Sequence, residues 1–143
     1  MNYSRSEIIF KEELRGDLFP KESLLIVDKA VQKLLPKEFL KSFAFVYAVE
    51  AGEKLKELSE FPRHIQNILE VWNTTVSRNH AIVALGGGSI GDFAGFIASV
   101  LKRGVRLIHV PSTWLSAIDS AHGGKTALNV GAYKNQVGTF YPA

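Results

Sequence analysis

Four short runs of aliphatic and aromatic residues divide the chain. Apolar runs of this length are typical of strands in a parallel sheet, whose two faces are both covered. They predict strands at residues 23–28 (SLLIVD), 42–49 (SFAFVYAV), 81–85 (AIVAL) and 106–110 (RLIHV). A smaller apolar group, Ile8, Ile9 and Phe10, predicts one more short strand within residues 7–14.

The stretches between these strands show helical spacing. Apolar residues recur every three or four positions in residues 29–35, 53–79 and 89–101, as in helices with one buried face. Pro36 should end the first helix, because an interior proline breaks the hydrogen-bond ladder. Pro62 should lie in the first turn of the second helix, where a proline is tolerated.

Strands that alternate with helices predict an α/β domain with a mainly parallel sheet flanked by helices. Beyond the last strand the composition changes, and residues 112–143 are rich in Gly, Ser, Thr, Ala and Asn. Such a long loop in a compact domain is usually functional, so we predict that it carries part of a site. Since no closing helix precedes Ala143, we expect the chain to be the first domain of a longer enzyme.

The composition of the chain excludes several kinds of site and partner. The 143 residues are 46% hydrophobic and 22% charged, which is typical of a globular protein. The chain has no cysteine, which excludes disulfides and Cys-bound zinc and fits a cytoplasmic protein. The formal net charge of +3 comes from scattered Lys and Arg, so we predict no nucleic-acid partner. No apolar run approaches the roughly 20 residues of a membrane span, so we predict no membrane partner either.

The strongest local pattern is the glycine-rich turn within AIVALGGGSIGD (residues 81–92). A predicted strand leads directly into glycines 86–88, and a helix is predicted to begin near Ser89. Free N–H groups and the helix dipole favour an anion at a helix N-terminus, and α/β sheets bind ligands at the carboxyl ends of their strands. The turn therefore predicts a phosphate or pyrophosphate site, with Asp92 near a sugar hydroxyl. The alternative is a tight turn in which Asp92 is only a helix-start charge.

A second polar group follows the strand at residues 42–49. Glu53 and Lys56 are three residues apart in EAGEKLK, so on a helix they would share one face. The Glu53 carboxylate is suited to accept hydrogen bonds from ribose hydroxyls. An ordinary ion pair on a solvated surface is the alternative, and it is the more frequent case.

A third polar group occupies PSTWLSAIDSAHGGKT (residues 111–126). Ser112 and Thr113 offer hydroxyls to a cofactor, and Asp119 and Lys125 flank a Gly-Gly pair. A lysine after two glycines suits a phosphate or a carboxylate, because loop N–H groups and a side-chain charge act together.

Two observations complete the candidate chemistry. Lys134 and Asn135 form another polar pair, between two glycines. The histidines show no metal-ligand spacing; His109, inside a predicted strand, is expected to be a core histidine, and His122 is not assigned to a ligand.

Together these motifs resemble the 3-dehydroquinate synthase family. The segments GGGSIGDFAGFIAS, KRG, VPSTWLSAIDSAHGGKTALN and YKNQVGTFY are similar to its first domain, over about residues 45–142. The glycine turn alone is shared with iron-dependent alcohol and glycerol dehydrogenases, whereas DSxxGGKT followed by a Lys-Asn pair is not. The resemblance implies a Rossmann-like, NAD-binding N-terminal domain (residues 1–143) of a two-domain enzyme. It also implies that the helical C-terminal domain is absent from this chain.

The resemblance also implies an activity. Such enzymes are metal- and NAD-dependent lyases of the shikimate pathway, and they convert 3-deoxy-D-arabino-heptulosonate 7-phosphate to 3-dehydroquinate and phosphate. NAD takes up a hydride and returns it in each turnover. The metal, zinc or cobalt, is held by a Glu and two His of the second domain, so no metal ligand is expected here. A homodimer is implied, and this chain alone is expected to be inactive and to bind NAD weakly at best.

Site residues are carried over by motif. The resemblance assigns substrate contacts to Asp119, Lys125 and Asn135, and it assigns Arg103 to the substrate phosphate of the neighbouring subunit. The implied cofactor residues are Glu53, Lys56, Gly87, Gly88, Ser89, Ile90, Gly91, Asp92, Ser112, Thr113, Leu115, Asp119, Ser120, Lys125 and Lys134.

Three positions depart from the family pattern. Ser112 replaces a threonine, His122 stands where a small or aliphatic residue is usual, and residues 130–133 (VGAY) replace a His-Pro-Leu-Gly stretch. The last difference keeps open a related sugar-phosphate cyclase that acts on sedoheptulose 7-phosphate or glucose 6-phosphate. An iron-dependent dehydrogenase fragment and a non-enzymatic nucleotide-binding module are further alternatives, and the GGKT and Lys-Asn segments weigh against both.

Overall fold

A parallel sheet forms the centre of the protein. The structure, a computed structural model, describes residues 6–72 and 80–143. The four strands of this sheet are β1 (Leu24–Asp28), β2 (Phe45–Val49), β3 (Ala81–Gly86) and β4 (Arg106–Pro111). They lie in the order β2-β1-β3-β4, and every neighbouring pair is parallel. All four predicted strands are thus confirmed, with ends shifted by one to three residues.

The two central strands are buried on both faces, as their uninterrupted apolar sequences predict. Leu24 of β1 pairs with Ile82 of β3, and both contribute to a core cluster that covers one face of the sheet. The alternate residues Leu25 and Val83 point to the opposite face and pack with Phe39 in a second cluster. The β sheet therefore separates two apolar layers.

Helices cover the sheet, and their bounds differ in part from the predicted ones. They are α1 (Lys29–Gln32), α2 (Lys37–Lys41), α3 (Phe61–Val71), α4 (Gly88–Val100) and α5 (Ala121–Gly123). Pro62 lies in the first turn of α3, as predicted. None of the helices among the described residues is long and apolar enough to cross a bilayer.

Two predicted elements are wrong in their extent. The helix predicted over residues 53–79 begins only at Phe61, because Glu53–Lys56 and Leu58–Glu60 form separate 3-10 turns. Its predicted last part, residues 73–79, lies outside the described residues. The first predicted helix, residues 29–35, ends already at Gln32.

The predicted strand at residues 7–14 is absent. This segment is without regular structure, and the Ile8, Ile9 and Phe10 side chains are mostly exposed. An apolar triplet forms a strand only where a neighbouring strand supplies hydrogen bonds and a packing surface. No described strand pairs with these residues.

The predicted loop at residues 112–143 is largely ordered secondary structure. A π-helical segment, Ser116–Ser120, leads into α5, and an antiparallel hairpin of β5 (Lys125–Val130) and β6 (Tyr133–Phe140) follows. The chain reverses between the strands at Gly131, whose φ is 57°. The hairpin is anchored to the domain by Leu128, which is fully buried in the first core cluster.

Close contact between α4 and β5 depends on a glycine. A Cβ added at Gly95 would lie 2.6 Å from Cγ2 of Thr126. We expect Gly95→Ala to lower the free energy of unfolding by about 1–3 kcal/mol through overpacking. Thr126→Ser removes that methyl but keeps the hydroxyl that lies 2.8 Å from Thr139 Oγ1, so the double variant should recover most of the loss.

Urea denaturation of the two single variants and the double variant measures this coupling. Gly123→Ala is the matched control, because a Cβ there meets nothing within 4 Å. If Gly95→Ala lowered the free energy of unfolding equally in the wild-type and in the Thr126→Ser background, the steric explanation would be contradicted.

Candidate functional site

The glycine turn joins β3 to α4 at the carboxyl edge of the sheet. β3 ends at Gly86, Gly87 is the N-cap of α4 in an extended conformation, and no side chain caps this helix end. The N–H of Gly91 donates to the Gly87 carbonyl at 3.1 Å. The N–H groups that precede it in the first turn have no acceptor within the helix, so this end of α4 is suited to an anion.

Packing explains why glycines occupy this turn. A Cβ would lie 2.5 Å from Cγ1 of Ile90 if added at Gly86. It would lie 3.2 Å from Ser120 Oγ if added at Gly88, and 3.3 Å from His109 Cε1 if added at Gly91. These glycines therefore let β3, β4, α4 and the 116–120 segment converge. The Ile90 side chain is fully buried, so only its backbone is available to a ligand.

The residues after β4 are fixed against the glycine turn. The Ser112 N–H donates to the Gly86 carbonyl at 2.9 Å. The Thr113 hydroxyl donates to Ser116 Oγ at 2.8 Å and accepts from the Ser116 N–H at 3.2 Å. The Thr113 hydroxyl is therefore bonded to the first residue of the π-helical segment, and the Thr113 methyl group faces Gly87.

A small cleft lies beneath the turn. The side chains of Ser116, Ser120 and His109 line it together with the glycines of the turn. Burial lowers the pKa of His109 to about 4, so its imidazole is neutral at pH 7. The predicted core histidine therefore borders the candidate site, with its ring beside Gly91.

Five polar residues form a connected group beside the turn, which we call the polar network: Glu53, Lys56, Asp92, Asn129 and Asn135. The Lys56 ammonium lies 2.9 Å from Asp92 Oδ2 and donates to Asn135 Oδ1 at 2.7 Å. The Asn129 amide donates to Glu53 Oε2 at 2.7 Å, and its carbonyl accepts from the Asn135 N–H at 2.9 Å. The network thus ties the 53–56 turn and α4 to the hairpin.

The pKa values of two carboxyl groups in this network shift in opposite directions. The hydrogen bond from Asn129 lowers the pKa of Glu53, which keeps this exposed carboxylate ionised. Burial raises the pKa of Asp92, and this effect outweighs the opposing effect of Lys56. Glu53 is thus a stable acceptor for hydroxyl groups, whereas the charge on Asp92 depends on its buried partner.

A surface ion pair between Glu53 and Lys56 was one alternative from the sequence. Lys56 instead has a buried side chain and pairs with Asp92. Ser89 joins the same region, since its hydroxyl accepts from the Gly52 N–H at 3.0 Å. The segments after β2 and β3 are therefore held together at one edge of the sheet.

The remaining candidates on residues 112–135 are exposed. Asp119, Lys125 and Lys134 have solvent-accessible side chains, and Leu115 is 75% exposed. No ion pair within the described residues involves Asp119, Lys125 or Lys134. These charges are therefore available to a ligand. Asn135 has a positive φ of 55°, an uncommon conformation for a residue other than glycine.

Arg103 is not brought to this edge. It follows α4, and α4 runs back from the glycine turn to the amino ends of the strands. Lys102 and Arg103 both have positive φ angles, 51° and 63°, before the turn at Gly104. Arg103 therefore lies at the opposite end of the sheet from the polar network.

Two residues of the site were missed from the sequence. Asn129 is almost fully buried between Leu128 and the exposed Val130, and as one amide in a predicted loop it carried no sequence signal of its own. His109 was expected to be a core residue, and the position of its strand next to the glycine turn was the available signal. A buried amide requires hydrogen-bond partners, and here those partners are site residues.

A metal site is not evident in this part of the chain. Among residues 6–72 and 80–143, no group of three or more His, Cys, Asp or Glu is arranged to hold a metal ion. The described residues therefore do not fit a resident divalent metal.

The fold and the glycine turn define a Rossmann-like α/β domain. The family model described as 3-dehydroquinate synthase N-terminal matches residues 46–143. The chain belongs to the 3-dehydroquinate synthase family. It is 49% identical over 105 residues to a 3-dehydroquinate synthase from Alkaliphilus oremlandii (strain OhILAs), a match that covers 73% of this chain and 28% of that relative. The chain thus spans less than a third of the length of this relative.

Solved structures share the fold. A crystal structure of 2-deoxy-scyllo-inosose synthase complexed with carbaglucose-6-phosphate, NAD+ and Co2+ matches with a TM-score of 0.71 and 34% identity, over 90% of this chain and 36% of that one. ValA, a 2-epi-5-epi-valiolone synthase from Streptomyces hygroscopicus with NAD+ and Zn2+ bound, matches with a TM-score of 0.84 and 23% identity, over 100% of this chain and 42% of that one. At that identity the second likeness concerns the fold alone.

Proposed function

We propose that the polypeptide containing this chain is a 3-dehydroquinate synthase. The proposed reaction converts 3-deoxy-D-arabino-heptulosonate 7-phosphate to 3-dehydroquinate and phosphate. The observation that carries this proposal is the position of the polar network directly beside the uncapped N-terminus of α4. The network supplies hydrogen-bond partners for the hydroxyl and carbonyl groups of a ligand, next to a helix end that is suited to an anion. A phosphorylated sugar acid and a dinucleotide both require this combination.

NAD fits the residues at the turn. The glycines leave a surface without side chains, and the free N–H groups of α4 suit a pyrophosphate. Glu53, ionised and partly free, can accept from a ribose hydroxyl. When bound, NAD supplies a reversible hydride acceptor. The protein's part is to hold it at the carboxyl edge of the sheet, next to the hairpin.

The substrate contacts are proposed on residues 119–135. Lys125 and Lys134 offer unpaired cations for the phosphate and carboxylate of a sugar acid, and Asp119 offers an acceptor for its hydroxyls. Oxidation of a substrate hydroxyl to a ketone acidifies the neighbouring C–H bond, so that phosphate can leave by elimination. A cation beside the phosphate stabilises the charge that develops on the leaving group.

Further properties of the whole protein belong to the same proposal. Arg103 is proposed to bind the substrate phosphate of the neighbouring subunit in a homodimer, and its position at the opposite end of the sheet from the polar network supports this. The zinc or cobalt ion is held by residues outside this chain, in a second domain. The chain by itself is inactive and binds NAD weakly at best. A chain without cysteine fits the cytoplasm.

The test follows phosphate release and NADH absorbance together. The whole polypeptide, with NAD and Zn2+ or Co2+, is supplied with the heptulosonate phosphate. We expect stoichiometric phosphate release without net NADH, because the hydride is returned in every turnover. Steady NADH accumulation from a simple polyol would overturn the lyase assignment and indicate a dehydrogenase.

A second candidate is a sibling cyclase with a different sugar phosphate. It is favoured by the 34% identity to 2-deoxy-scyllo-inosose synthase and by the VGAY sequence at residues 130–133. Parallel assays with sedoheptulose 7-phosphate and glucose 6-phosphate distinguish the candidates. Cyclisation of either sugar, with no turnover of the heptulosonate phosphate, would replace the first proposal by the second.

A further inference from the structure

Asn129 occupies a special place in the polar network, because it contacts both halves of the proposed site. Its side chain is almost completely buried, with 2% of the residue exposed. The amide nitrogen donates to Glu53 Oε2 at 2.7 Å and lies 3.4 Å from the Glu53 carbonyl oxygen. The amide oxygen accepts from the Asn135 N–H at 2.9 Å. One side chain thus contacts a residue on the cofactor side and a residue on the substrate side.

Each contact fixes a group that would otherwise be mobile. Glu53 is an exposed residue on a short 3-10 turn, so its carboxylate has few other restraints. Asn135 lies on the exposed face of β6 with a positive φ. The bond from its N–H to Asn129 stabilises this uncommon backbone conformation, and Asn135 Oδ1 then reaches the Lys56 ammonium at 2.7 Å.

We propose that Asn129 is a positioning residue that orients the Glu53 carboxylate for the cofactor ribose and the Asn135 backbone for the substrate. This inference rests on the proposed function. It adds to that function a residue that fixes the cofactor site and the substrate site relative to each other. Asn129 does not touch either ligand itself. It acts from the buried face of the hairpin, through two hydrogen bonds of opposite polarity.

The chemistry of the amide explains the choice of residue. Asparagine offers a donor and an acceptor at once, and both are used here. An aspartate keeps the acceptor for Asn135 but places a second carboxylate against Glu53, and an alanine loses both bonds. Reversal of the pair, with glutamine at position 53 and aspartate at position 129, restores a donor facing an acceptor.

The test measures NAD affinity by calorimetry with the whole polypeptide. We expect Asn129→Asp and Asn129→Ala each to raise the NAD dissociation constant about tenfold, the effect of losing one hydrogen bond to a charged group. The double variant Glu53→Gln with Asn129→Asp should recover most of the affinity lost in Asn129→Asp. In the Glu53→Ala background, Asn129→Ala should add little, because the side chain that Asn129 orients is absent. A purely structural role would add the same loss in both backgrounds.

Gln136→Ala is the control. This exposed residue of β6 donates its side-chain amide to the Lys134 carbonyl and is not a member of the polar network, so NAD affinity should be unchanged. Wild-type protein without any NAD affinity would overturn the proposed function and this inference together. Wild-type binding that Asn129→Asp and Asn129→Ala leave unchanged, or a reversed pair that recovers nothing, would overturn this inference alone.

Discussion

Lys56→Met is expected to be the most destabilising single change in the polar network. The Lys56 side chain is 7% exposed, and the Asp92 side chain beside it is 20% exposed. Removal of one partner of a buried ion pair costs about 3–5 kcal/mol, and the partial exposure of Asp92 places the expected loss near 3 kcal/mol. Asn135 also loses the partner of its amide oxygen. Urea denaturation of the chain at pH 7 measures the loss.

The pH dependence of this loss identifies its cause. Burial raises the pKa of Asp92 in the folded protein, even with Lys56 beside it, and Lys56→Met should raise this pKa further. A raised carboxyl pKa contributes stability at low pH that is lost as pH rises through the folded pKa. The destabilisation should therefore be smaller at pH 5 than at pH 7.

Two comparisons make the interpretation specific. Lys54→Met changes an exposed lysine of the same 3-10 turn, and it should cost no more than about 0.5 kcal/mol. In the Lys56→Met background, Asp92→Asn should cost much less than it does alone, because the two side chains interact directly. Equal losses for Lys54→Met and Lys56→Met would contradict the buried pair.

Most of the parallel sheet could be predicted because its central strands require only a short run of apolar residues. Residues 24–27 and 81–85 are continuous apolar runs, and a strand between two covered faces is the structure that such runs favour. The predicted strand at residues 7–14 failed for the complementary reason. Ile8 and Phe10 are apolar, but no described strand pairs with them, and pairing is a tertiary property that a short sequence does not contain.

The hairpin could not be predicted because neither of its strands is an apolar run. KTALNV and YKNQVGTF mix polar and small residues, and only Leu128 of this segment is fully buried. The hairpin forms through pairing and through contact with α4, where Gly95 and Thr126 meet. A side chain at Gly138 would also lie 1.9 Å from the Thr126 carbonyl oxygen, so close strand pairing itself depends on a glycine.

The sequence singled out four of the five residues of the polar network, but it did not predict the contacts between them. Sequence motifs singled out Glu53, Lys56, Asp92 and Asn135 separately. Their hydrogen bonds span 79 residues of sequence between Lys56 and Asn135, and such pairings follow from the fold. Asn129 was missed because a buried amide has no pattern of its own, and its importance appears only with its partners.

Acidification should destabilise the chain through His109. Burial lowers the pKa of this imidazole from 6.5 to about 4. Between these values the unfolded chain binds a proton that the folded chain does not, so stability is complete above pH 6.5 and falls as the pH is lowered. A pKa difference of this size corresponds to about 3 kcal/mol lost by pH 4. His109→Gln, which stays neutral throughout, should remove this part of the loss.

Free energies of unfolding at pH 7, 6, 5 and 4 measure the effect as the difference between wild type and His109→Gln. Burial lowers the pKa of His64 as well, but this contribution is present in both proteins and cancels. His122→Gln is the matched control, because it makes the same substitution at an exposed position. If His109→Gln lost as much stability on acidification as wild type does, the imidazole would have to be accessible to protons in the folded state. The cleft beneath the glycine turn would then be open to solvent at the His109 ring, and its surface would carry a titrating group near neutral pH.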